Sequence, residues 1–161
     1  MSTAAPPTWP WLDPFADAVN PAFGLVLLAI TVHAARQRRW REAVGLPLTL
    51  VVMLGVAYGI AYFDRVFGAF ALFGLDFSTH GAVHLAAGAT LLVWQPRRWP
   101  WVLGVALGCH ALMAAQGYHT AFDLLATAAA VTLPISLLAT GLRPVTRSRA
   151  DSAASGHNSA L

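Results

Sequence analysis

Apolar residues in this chain come in long runs, and the polar residues between them are few and clustered. Five runs approach the ~20 residues that carry a helix across a bilayer. They cover roughly residues 18–35, 43–63, 77–94, 99–116 and 119–142. Every face of these runs is apolar, so length and flanking residues decide more than periodicity does. The intervening stretch "DRVFGAFALFGLD" is apolar but too short to cross, which predicts an interfacial or re-entrant piece. The pattern therefore predicts an all-α integral membrane helical bundle of about five transmembrane helices plus a short interfacial segment. Residues 1–17, with Pro6, Pro7, Pro10 and Pro14, are expected to form an irregular leader ahead of a bundle over 18–142. The small polar residues of 143–161 are expected to form a disordered cytoplasmic tail.

Composition agrees with this reading. Hydrophobic residues make up 57% of the chain and charged residues 11%, far from the balance of a soluble domain. The single cysteine, Cys109, excludes an internal disulfide. A basic pI of about 9.8 could indicate a nucleic-acid binder. The placement of the charges argues otherwise. All ten basic residues are arginine, and nine lie in "RQRRWRE", "QPRRWP" and "RPVTRSR". In a five-span arrangement these segments share one side, which the positive-inside rule makes cytoplasmic. The N-terminus then lies outside and the C-terminus inside, in a cell-membrane protein with no nucleic-acid partner. All six tryptophans fall near span ends, where interfacial anchors belong.

The same topology gathers polar residues at the outer rim. "DFSTHGAVH" opens the third run with Asp76, Ser78, Thr79, His80 and His84. His110 lies late in the fourth run, and "QGYHTAFD" opens the fifth with His119 and Asp123. Residues four apart share a helix face, so His80 pairs with His84 and His119 with Asp123. Ionisable groups inside a membrane are costly and usually face the bundle interior. A carboxylate one turn from His119 could fix its tautomer and leave the second ring nitrogen as a nucleophile or base. His80 could then protonate a leaving oxygen. Ser78, Thr79 and the free N–H groups at the start of the third helix could hold an anion. Arg65 is the one arginine on this side.

The motifs "STH", ending at His80, and "HTAFD", His119 to Asp123, resemble those of the type 2 phosphatidic acid phosphatase superfamily, nearest to its sphingomyelin-synthase-like branch. The similarity covers roughly residues 64–128. It implies a membrane lipid phosphate phosphatase or phosphotransferase that needs no cofactor and acts at the extracytoplasmic face on a lipid bearing a phosphate group. It further implies that His119 attacks phosphorus, Asp123 orients it and His80 protonates the departing alkoxide, with Arg65, Ser78 and Thr79 binding substrate. The chain departs from the phosphatase pattern in having no lysine, and in placing Met113 where the later motif carries arginine.

Each of these residues also has a plainer use. Asp76, Ser78 and Thr79 are good helix caps, Arg65 can snorkel at the interface, and His84 and His110 can be satisfied interior histidines. Two further functions fit the sequence: a haem- or metal-binding membrane protein using His84 and His110, and a non-catalytic membrane subunit that keeps the fold.

Overall fold

The computed structural model describes Trp11 and residues 13–142. The tail over 143–161 and most of the expected leader lie outside the described residues. Five α-helices follow one another: α1 (Asp13–Arg36), α2 (Trp40–Phe67), α3 (Thr79–Trp94), α4 (Trp99–Ala115) and α5 (Ala121–Leu142). Among the described residues there is no strand. Helix α1 takes in residues 13–17, which the prolines had suggested would be irregular.

The joints between helices follow from local chemistry. Helix α2 stops at Gly68, whose φ of 61° is open to glycine at little cost and lets its N–H bond to the Asp64 carbonyl. The Asp64 carboxylate accepts the Phe70 N–H at 2.7 Å, so the chain turns at once into a short 3-10 turn, Ala71–Phe73. Ser78 caps α3, its Oγ accepting the Gly81 N–H at 3.2 Å. Thr120 and Asp123 form a reciprocal cap on α5: the Thr120 N–H donates to Asp123 Oδ2 at 2.7 Å, and the Asp123 N–H donates to Thr120 Oγ1 at 3.2 Å.

Three stretches are long and apolar enough to cross a membrane: Asp17–Arg36, Trp40–Phe67 and Ala121–Gly141. Helices α3 and α4 have 16 and 17 residues, or about 24–26 Å of rise, against a hydrocarbon thickness of about 30 Å. The five runs that looked alike in sequence thus separate into three long helices and two short ones.

Helix α3 packs against each of the other four helices, and those four touch in the order α1, α2, α5, α4 and back to α1. It is therefore a central rod inside a ring. Nine of its sixteen residues are buried, most of them small: Gly81, Ala82, Ala86, Ala87, Gly88 and Thr90. Small side chains let backbones approach closely where packing rather than hydrophobicity must join helices. A Cβ on Gly88 would sit 2.9 Å from Val102 of α4, and one on Gly45 would collide with the Trp94 ring. Met53, Ala57, Ala82, Ala86, Val131 and Ile135 fill the space between α2, α3 and α5, while Phe23, Leu27, Leu46, Leu91 and Val102 fill that between α1, α2, α3 and α4. The outer faces carry exposed Leu48, Val51, Tyr62, Phe67, Leu133 and Leu137, a surface suited to lipid.

Candidate functional site

Helices successive in the chain run antiparallel, which sorts the polar residues by end. Trp94 Nε1 donates to Thr49 Oγ1 at 3.0 Å, bringing the end of α3 to the start of α2. Arg36, Arg38, Arg39, Arg41, Arg97 and Arg98 therefore share one end of the bundle with Trp40, Trp94 and Trp99. At the other end Asn20 of α1 reaches the His80 carbonyl at 3.5 Å, and Asp123 of α5 reaches Asp76. That end holds Asp64, Arg65, Asp76, Ser78, Thr79, His80, His119 and Asp123.

The α5 side of this end is knitted together. Asp123 is buried and accepts three hydrogen bonds: the Asp76 N–H at 2.8 Å, the Thr120 N–H and the Thr120 hydroxyl, both at 2.7 Å. The Ser78 N–H donates to Thr127 Oγ1 at 3.0 Å, and Ser78 is fully buried. These bonds fix the loop that enters α3 against the first two turns of α5.

His119 stands beside this knot with only 16% of its side chain exposed, and its Nδ1 lies 3.3 Å from Asp76 Oδ2. The distance is that of an ion pair, without the alignment of a hydrogen bond. The expected orienting carboxylate, Asp123, is occupied with Asp76 and Thr120 instead. The i,i+4 relation had suggested a His119–Asp123 bond, but His119 precedes the helix and belongs to its entering turn. The helical spacing rule does not apply there. Asp76 had been weighed mainly as a helix cap, yet Ser78 is the cap and Asp76 is the carboxylate beside the imidazole.

The other expected residues fall as follows. His80 is exposed on the first turn of α3 and lines a pocket of about 10 Å³ with Val19, Asn20, His84, Cys109 and Met113. His119 is not among the residues lining that pocket. Ser78 is committed to capping rather than open for an anion, and Thr79 is exposed beside it. Arg65 is exposed at the end of α2 and makes no ion pair among the described residues.

His84 is 3% exposed, and its ring meets His110 edge to face with centroids 6.4 Å apart. His110 Nδ1 bonds the Ala106 carbonyl at 2.7 Å, which makes Nδ1 the protonated nitrogen and Nε2 the acceptor. The Nε2 atoms of both rings are buried without a partner. Among the described residues, no three His, Cys, Asp or Glu side chains are grouped to hold a metal ion. The adjoining pocket has room for about one water. That volume is far smaller than a haem.

Comparison with family models, with curated proteins and with solved structures finds no match to this chain.

Proposed function

We propose that the chain is a membrane phosphatase or phosphotransferase acting on a lipid phosphate ester, with His119 as its nucleophile. The observation that carries this is the shielded imidazole of His119 beside Asp76, at the bundle end away from the clustered arginines. On this reading all five helices cross the bilayer, the two short ones shielded within or beside longer neighbours. The positive-inside rule then puts the His119 end outside the cytoplasm.

Asp76 faces Nδ1, so Nε2 is the ring nitrogen turned from the carboxylate and available for attack. Attack forms a phosphorus–nitrogen bond as the phosphorus–oxygen bond to the lipid alkoxide breaks. The alkoxide takes a proton from His80, and the Asp76 carboxylate offsets the positive charge on the phosphorylated ring. Water or an acceptor alcohol then attacks phosphorus, gives its proton to His80 and releases His119. Arg65 is the candidate cation for the phosphoryl oxygens. Asp123 acts through the backbone, by holding Asp76 in place.

The test is vanadate-sensitive phosphate release from a phosphate-monoester lipid by purified protein in nanodiscs. Activity should disappear in His119→Ala while the variant remains folded. Full activity in that variant would exclude the nucleophile.

A further inference from the structure

A second opening lies directly beside the His119–Asp76 pair. It is a groove of about 220 Å³ between the segment entering α3 and helix α5, lined by Ala69, Phe70, Phe73, Leu75 and Ala126. We infer that this groove holds an acyl chain of the lipid whose phosphate is handled at His119, and that Ala126 and Phe73 set how well the chain is held. The inference rests on the reading of His119 given above.

The placement follows from the chain. Leu75 precedes Asp76, and Ala126 stands one helical turn beyond Asp123. Asp123 accepts the Asp76 N–H, so the two walls meet at the bond that positions the carboxylate. The groove therefore begins where the polar site ends, which is the layout an amphiphile requires.

The lining chooses between the two ends of such a molecule. Every named wall residue is apolar, so the groove offers nothing to a headgroup and suits a hydrocarbon tail. Its walls are also fixed. Phe70 donates its N–H to Asp64 and packs edge-on against Phe77 with centroids 5.1 Å apart. The groove stays open because residues 69 and 126 are alanines; a larger side chain at 126 would fill it. The approach lies in apolar surroundings, with Leu72 and Phe73 80% exposed, and Phe122 and Leu125 of α5 exposed as well. An acyl chain can enter from the bilayer without crossing water.

Full-length protein in nanodiscs should be assayed with a long-chain phosphate-monoester lipid, its eight-carbon analogue and p-nitrophenyl phosphate. Ala126→Phe should lower kcat/KM for the long-chain lipid by at least tenfold, since each methylene denied burial costs about fourfold. Turnover of p-nitrophenyl phosphate should change less than twofold. Phe73→Ala, at an exposed position that adds no bulk to the core, should weaken long-chain selectivity in the same direction. Equal losses on all three substrates in both variants, or unchanged selectivity in both, would overturn the inference.

A photoactivatable diazirine in the acyl chain gives a readout independent of turnover. Labelling should concentrate on 69–75 and the first turns of α5, and should fall in Ala126→Phe. Uniform labelling of the outer faces would overturn the groove as a site. Focused labelling with no turnover of any substrate would instead sink the hydrolase reading and leave the groove as a lipid site.

Discussion

The two polar sets at one end of this bundle are built on opposite plans. On the α5 side, Asp76, Ser78, Thr120, Asp123 and Thr127 are joined through side chains that satisfy backbone N–H groups. On the side facing α1 and α4, His84 and His110 meet only edge to face, and both bury an Nε2 atom with no partner. Bonding to backbone specifies a loop and holds a reactive group in place. Buried lone pairs without donors only cost stability. His119 also buries a ring nitrogen that no hydrogen bond satisfies, but a carboxylate, Asp76, stands 3.3 Å from it, and neither interior histidine has an acid in its group.

Substitutions should separate the two plans. The largest effect belongs to His119→Ala, expected to lower phosphate release by at least ~10³-fold. Next comes Asp76→Asn, expected to cost about 10²-fold in turnover with an unchanged melting temperature, because its side chain is 76% exposed. Asp123→Ala should show the reverse emphasis. It strands the Asp76 and Thr120 N–H groups, each at about 1–3 kcal/mol, and a thermal melt in detergent should fall by many degrees. Should Asp123→Asn cost activity without stability, the assignment of the two carboxylates would be inverted. Thr127→Val leaves the Ser78 N–H unpaired and should cost about 1–3 kcal/mol. The smallest effect is expected from His84→Phe, which removes an unpartnered nitrogen and should stay within about 1 kcal/mol or raise stability. A loss of several kcal/mol there would show that the interior set is bonded after all.

Much of this was legible in the residues. Apolar run lengths locate five helices, and the arginine and tryptophan clusters sort their ends, because successive helices joined by short connections alternate in direction. The cap at Ser78 also follows from residue type, while the turn at Gly68 and the cap at Thr120 emerge only in the fold. The central position of α3 was hidden. Its apolar character matches that of its neighbours, and only its alanines and glycines hinted that it would be enclosed. The partner of His119 was hidden for a different reason. Spacing pointed to Asp123, while the contact with Asp76 bridges 43 positions and depends on how the α3 entry loop folds over α5.

The enclosure of α3 has a consequence for biogenesis. On the five-span reading proposed above, α3 enters the membrane before α4 and α5 have been made, so two of its four walls are then missing. During that interval the His84 imidazole and the bare backbone at Gly81 and Gly88 have only α1 and α2 for cover. A nascent chain stalled before α5 should consequently be a better target for membrane proteases than one stalled after it.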